Sequence, residues 1–202
     1  MNIVLLSRMF QEGEAATEYF KAIASRLIEE GNEVHVVAFD DRSYYSVNEE
    51  VNVHRVELPF EGDNIYNWSM MMNNELKRKA REIFEEEDLD IVHAIDWTAA
   101  PAGVVLSKAF DIPLVMTFQS TENIRGFKGE HAPMISELEW QGAFEAEKVI
   151  ATSDDVKNSL LFDLDVPGEK LEVIDPFRDG WPQNVLNSYR ELVKQEKEAE
   201  IT

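Results

Sequence analysis

The chain has 202 residues, 44% of them hydrophobic, which suffices for one ordinary to large domain with a full core and excludes global disorder. It has no cysteine, which excludes disulfides and thiolate chemistry. A formal charge of −21 argues against nucleic acid or an anionic membrane surface as a partner, since both need a basic footprint.

Residues 2–7 read as an apolar strand that Met1-Asn2-Ile3-Val4 enters without a basic leader. No run reaches membrane-spanning length, so a cytoplasmic protein with no membrane span is expected. A helix is predicted over about residues 15–30, with Tyr19, Phe20, Ile23, Leu27 and Ile28 on one stripe and Gly31 as its stop. Residues 33–39 form the second strand, and residues 51–58 a third, half-exposed one alternating Val51, Val53, Val56 and Leu58. The next helix spans about residues 66–87 along Trp68, Met72, Leu76, Ala80, Ile83 and Phe84. Residues 90–95 are the fourth strand, followed by a short Ala-rich helix and a fifth strand at 113–118. A helix over 133–147, a strand at 149–152, a helix over 154–164 and a last strand at 171–174 complete the alternation. Strands alternating with helices predict an α/β, doubly wound, mostly parallel Rossmann-like sheet over residues 1–174. Residues 175–202 read as a loop and a C-terminal helix packing back on that domain through Val185, Leu186, Tyr189, Leu192 and Val193. The end, residues 196–202, is expected to fray.

Ligands of open α/β sheets sit beyond the carboxyl ends of the strands. Two strands end there in polar and aromatic residues: Asp96-Trp97 after the fourth, and Gln119, Ser120, Thr121, Glu122, Asn123 and Arg125 after the fifth. Asp96 either caps the following helix or accepts a ligand hydroxyl; Trp97 either covers the sheet edge or stacks on a sugar. The 119–125 cluster can hydrogen-bond a polyhydroxylated ligand, with Arg125 able to hold a carboxylate or phosphate. The turn after the first strand, from Ser7 and Arg8 to Ala16, has Gly13 as its one glycine, flanked by Glu12 and Glu14. Dinucleotide folds use three glycines there, and carboxylates would repel a diphosphate, so NAD-type binding and an intact dehydrogenase are disfavoured. His35, His54, His93 and His131 are scattered with no ligand at metal spacing, and no serine has nucleophile-elbow glycines. Neither a metal nor another cofactor is expected.

Taken in order, these segments resemble the N-terminal half of retaining glycosyltransferases of the GT-B fold, in the group of glycogen and starch synthases. The match runs through Ala24-Ser25-Arg26-Leu27-Ile28-Glu29-Glu30-Gly31-Asn32-Glu33-Val34-His35-Val36, Asn73-Asn74-Glu75-Leu76, His93-Ala94-Ile95-Asp96-Trp97, Thr117-Phe118-Gln119-Ser120-Thr121-Glu122 with Arg125, Glu139-Trp140 and Val149-Ile150-Ala151-Thr152-Ser153. Trp181-Pro182 through Val193 resembles the closing helix that crosses back onto this domain. The resemblance implies an acceptor site made by Asp96, Trp97, Gln119, Ser120, Thr121, Glu122 and Arg125, in a cleft lined by Arg8, Gly13, Asn73 and Ser153. The chain departs from the group's pattern at Glu14-Ala15 in place of paired glycines, and at Ile95 and Gln119 in place of histidines. Asp175-Pro176-Phe177 replaces the Asn-Gly crossover, and the nucleotide-sugar domain is missing. The implied function is that of a domain binding a sugar or oligosaccharide acceptor, inactive alone and dependent on a separate nucleotide-sugar-binding domain or subunit. The alternative is a non-catalytic scaffold that kept the fold.

Overall fold

The computed structural model describes residues 1–40, 42, 49–58 and 62–199. Seven parallel strands form one sheet: β1 (Asn2–Met9), β2 (Glu33–Phe39), β3 (Asn52–Val56), β4 (Ile91–Ile95), β5 (Leu114–Phe118), β6 (Lys148–Ala151) and β7 (Leu171–Val173), in the order β3-β2-β1-β4-β5-β6-β7. The expected doubly wound α/β architecture is what forms. Strand order reverses between β1 and β4, and such a switch point opens a crevice beyond the strand ends.

Residues of β1 alternate between the two faces of the sheet. Val4 and Leu6 join Val92, Ala94, Leu114, Met116 and Val149 beneath the helices α2 (Ile65–Glu86), α3 (Asp96–Phe110), α4 (Ala132–Glu145) and α5 (Asp154–Phe162). Ile3 and Leu5 join Val34, Val36, Ile91, Val115 and Ile150 beneath α1 (Ala15–Glu29) and α6 (Trp181–Ala199). With both faces covered, the inner strands are apolar throughout rather than alternating.

The ends of α1 follow local chemistry. Gly31, at φ 73°, donates to the carbonyl of Ile28 and Asn32 donates to that of Leu27, a Schellman closure that the glycine's left-handed conformation permits. The helix after β4 is not short, as its sequence suggests; α3 runs for 15 residues. Gly103 explains the tight seat: a Cβ there would lie 2.9 Å from Leu114 Cδ1 and 3.0 Å from Ala94 Cβ. A larger residue would push α3 off the sheet.

The C-terminal helix packs as its stripe predicts, with Val185, Leu186, Tyr189, Leu192 and Val193 all buried. Arg26 Nε donates to Gln183 Oε1 at 2.7 Å and Arg190 to Glu30 at 2.7 Å, so polar bonds to α1 rim that apolar seam. The helix continues to Ala199, past the start of the expected fraying; residues 200–202 lie outside the described residues. Among the described residues no helix is long and apolar enough to cross a membrane.

One buried polar chain fastens this helix to the sheet. His93, on β4, meets Tyr189 Oη at Nδ1 and Thr117 Oγ1 at Nε2 (2.8 Å). Tyr19 Oη reaches the same threonine at 3.2 Å, and Trp181 stacks on Tyr19 with ring centres 4.6 Å apart. Burial drives the His93 imidazole down to about 3, so it is neutral at physiological pH.

His93 sets a pH dependence. An unfolded imidazole protonates near 6.5 and the folded one near 3, so its contribution is complete above about pH 6.5 and is lost as pH falls toward 3. The slope reaches about 1.4 kcal/mol per pH unit. Two carboxyls of raised pKa, Asp96 and Glu139, act with opposite sign in part of that window. The informative quantity is therefore the stability of the wild type minus that of His93→Gln, from denaturant unfolding at pH 7 and pH 5. The difference should shrink on acidification by about 1–2 kcal/mol, and an unchanged difference would contradict a neutral, buried His93.

Candidate functional site

The switch point holds a cleft of about 300 Å³ lined by the ends of β1 and β4, the first turns of α1, α2 and α3, and the segment after β5. Its polar lining includes Ser7, Arg8, Glu14, Asp96, Thr98, Gln119 and Arg125, with Met9, Ala15, Ala16, Ile65, Ile95 and Trp97 as apolar walls.

Arg8 owes its place to a bulge. Ser7 pairs with Ala38 and Met9 with Phe39, which leaves Arg8 as the extra residue, and a bulge at a strand end re-aims a side chain. Arg8 Nη2 lies 3.7 Å from Glu14 Oε1, to which Gln11 Nε2 also donates at 3.2 Å. Gly13 is not in the lining. Its φ of 86° makes the turn that leads into α1, and no atom lies near the side it leaves open.

Asp96 begins α3 in a left-handed conformation at φ 55°, which aspartate tolerates better than most residues. Its Oδ1 accepts the backbone N–H of Gln119 at 2.9 Å, tying the end of β4 to the segment after β5. Burial raises its carboxyl to about 6, while the Gln119 N–H and the guanidinium groups of Arg125 and Arg8 pull it back.

Asn73 corrects the expectation of a cleft-lining residue. It is buried on α2, where its Nδ2 donates to Ser69 O and Thr98 O, both at 2.7 Å, and its Oδ1 accepts from Ala102 N at 2.8 Å. An unbroken α3 would bond Ala102 N directly to Thr98 O. The amide of Asn73 bonds both groups of that pair, next to Pro101, which lacks an N–H. Asn73 thus holds the first turn of α3, and with it Asp96 and Trp97, from behind.

Trp97 is 7% exposed, so it is no open platform. Tyr66 stacks on it with ring centres 6.3 Å apart, and His131 stacks on Tyr66 at 5.1 Å. The Nδ1 of His131 is buried without a hydrogen-bond partner among the described residues. Tyr66 and His131 were not in the residue set expected from sequence.

The 119–125 cluster divides. Gln119 and Arg125 line the cleft. Ser120 bonds its neighbour's carbonyl through Oγ at 3.4 Å, outside the lining. Thr121 and Glu122 are buried and turned inward: Thr121 Oγ1 lies 2.6 Å from Ser159 Oγ, and Glu122 Oε2 accepts from Arg125 Nε at 3.0 Å. Ser153 is also outside the cleft; its hydroxyl caps α5 by accepting from Val156 N at 3.3 Å.

Glu139 organises this loop, although sequence assigned it no role beyond the resemblance. It is fully buried on α4, and its two oxygens accept the backbone N–H of Glu122 at 2.9 and 2.8 Å. Arg125 Nη2 donates to it at 2.6 Å. Burial raises its carboxyl to about 7, against the pull of the Glu122 N–H and Arg125. Every partner is a donor, so the ionised form fits the geometry.

Glu139→Gln keeps the shape and turns an amide N–H toward these donors. A stability loss of about 1–3 kcal/mol is expected, as for a buried polar group that loses its partner. Faster exchange of the Glu122 amide, with β4 and β5 amides still protected, would place the damage in the loop. Unchanged exchange at Glu122 would show that the carboxylate does not hold the loop.

The comparisons with known proteins agree with this architecture. The uncharacterized glycosyltransferase MJ1607 of Methanocaldococcus jannaschii is 28% identical over 177 residues, 86% of this chain and 45% of the relative. The chain therefore spans less than half the length of that relative. A sucrose-phosphate synthase structure from Thermosynechococcus elongatus superposes with a TM-score of 0.73 at 14% identity, over 87% of this chain and 48% of that one. A second chain of that synthase, bearing the label 27_220_406_426, gives 0.69 at 13% identity over 96% and 99% of the two chains. HepE of Anabaena, solved in complex with UDP-glucose, gives 0.64 at 17% identity over 89% and 44%. The family model of Glycosyltransferase Family 4 matches residues 16–179, and the chain belongs to that family.

Proposed function

We propose that this chain is the acceptor-side domain of a glycosyltransferase, nearest in character to the glycogen and starch synthase group, and that it binds a sugar or oligosaccharide at the switch-point cleft. The observation that carries the reading is the charge balance of the lining. Arg8 and Arg125 face Glu14 and Asp96, two positive against two negative groups, and both arginines are already paired with carboxylates. A nucleotide diphosphate needs surplus positive charge or free amides at a glycine-rich turn. A neutral sugar needs hydroxyl partners and an apolar wall, and Asp96, Gln119, Thr98 and the rim of Trp97 supply both.

In this reading the lone chain transfers no sugar. Transfer requires donor and acceptor held together with water excluded, and one half of the cleft provides only the acceptor's orientation and part of the field. A separate nucleotide-sugar-binding domain or subunit completes the enzyme. Support comes from the glycosyltransferase relative, of which the chain spans 45%.

The test pairs two measurements on the full chain. Calorimetric titration with malto-oligosaccharides should show weak binding, and Gln119→Ala should weaken it by about 3- to 10-fold, the loss of one net hydrogen bond. Trp97→Ala is a poorer probe, because a nearly buried ring stacked under Tyr66 also supports the fold. Assays with several nucleotide sugars should show no turnover. Turnover by the lone chain would overturn its dependence on a donor domain, and absence of any oligosaccharide binding would favour the non-catalytic scaffold.

A further inference from the structure

At the end of the sheet away from the cleft, four side chains converge that are spread over 55 positions of sequence, from Glu33 to Glu87. Glu33 and His35 are two residues apart on β2 and so share a face of the sheet. His35 pairs in register with Asn52 on β3, which brings His54, two residues further on that same face, beside it. Glu87 follows the last turn of α2, its N–H still bonded to Ile83 O.

The geometry is that of a donor set around one point. His35 Nε2 lies 3.1 Å from Glu87 Oε2 and 3.9 Å from Glu33 Oε1, and all three atoms are within 4.8 Å of one another. Bonds of about 2.0–2.2 Å to a tetrahedral zinc ion put its ligand atoms roughly 3.3–3.6 Å apart, so small side-chain adjustments suffice. His35 is almost fully buried, whereas the Glu33 and Glu87 side chains are 47% and 34% exposed, leaving an entry path on the carboxylate side. The other imidazole nitrogen, Nδ1, lies 3.1 Å from His54 Nε2. A metal-bound imidazole characteristically donates its second N–H to such a partner, which fixes the ring and its tautomer.

Two carboxylates near one imidazole repel each other, and a divalent cation between them removes that repulsion. An imidazole among the donors favours zinc-class ions over calcium or magnesium, which prefer oxygen alone. We propose that Glu33, His35 and Glu87 bind a divalent transition-metal ion of the zinc class, with His54 as the acceptor that orients His35 and water as the remaining ligand. The ion would tie the end of α2 to the edge of the sheet, far from the cleft, and its presence does not depend on the sugar-binding reading. Along the chain no histidine has a ligand at helical metal spacing; neighbouring strands supply what the linear pattern lacks.

The experiment uses the full chain, stripped with chelator and titrated with Zn²⁺ by calorimetry and with Co²⁺ by visible absorption. One site should stand out above weak binding by the acidic surface, with the intense cobalt bands of four-coordination. Glu33→Gln and Glu87→Gln, on partly exposed side chains, should each weaken Zn²⁺ at least about tenfold, and His54→Phe by roughly 10- to 100-fold. Glu86→Gln, one residue away, should leave affinity unchanged. Zn²⁺ at 100 times its Kd should raise the melting temperature by about 5–10 °C. Equal affinity of the wild type and the Glu33→Gln/Glu87→Gln double variant, or no site above the acidic background, would overturn the proposal.

Discussion

The rest of the structure depends on a neutral histidine in the middle of the sheet. His93 sits on β4, the strand beside the switch point, with no exposure to solvent. A buried imidazole without partners would be costly, so the fold must bring it hydroxyl groups. It does so from three elements: Thr117 from the neighbouring strand, Tyr189 from α6 and, through Thr117, Tyr19 from α1. Satisfying one side chain therefore fixes the helix layer on that face. The apolar stripe of α6 supplies most of the driving force for its docking, but apolar contact alone does not specify register. Only one register puts Tyr189 on His93 and Trp181 on Tyr19.

On the opposite face a second set of buried polar groups sets the cleft. Asn73 bonds Thr98 O and Ala102 N of α3 beside Pro101, and Glu139 gathers the backbone of Glu122 and the guanidinium of Arg125. Neither residue lines the cleft, yet each fixes one that does: Asn73 the turn bearing Asp96, Glu139 the loop bearing Arg125. Asp96 then joins the two by accepting Gln119 N. The cleft is shaped from behind before any ligand arrives, which lowers the ordering cost of binding.

Much of the fold was legible because parallel strands buried on both faces read as unbroken apolar runs, and the helices between them carry stripes with a clear period. The helix after β4 is longer than its sequence suggests, although Pro101 and Gly103 stand inside it. In the structure Gly103 is required by close packing, and Ala102 N, next to Pro101, donates to a side chain 29 positions away, which no local rule sees. The candidate site was legible as a place, since its residues stand at strand ends, but less so as a set of roles. Whether a carboxylate faces a cleft or a backbone amide is decided by tertiary packing, and so Glu122 turns inward while Asp96 lines the cleft and accepts Gln119 N. Glu139 did leave a signal. It falls on the buried stripe of α4 with Ala132, Ile135, Gly142 and Ala143, and a lone acid on an apolar stripe is held there for a reason. In a chain with 40 acidic residues that signal stands among many solvated carboxylates.

That acidity also bears on which ligands the cleft can favour. A net charge of −21 creates a field that disfavours anionic ligands over the whole surface. Within the cleft, Arg8 and Arg125 cancel Glu14 and Asp96 and leave no local surplus to overcome that field. A neutral polyol is indifferent to the distant charges and responds only to nearby donors and acceptors. The distribution of charge therefore favours an uncharged ligand over an anionic one before any specific contact is made.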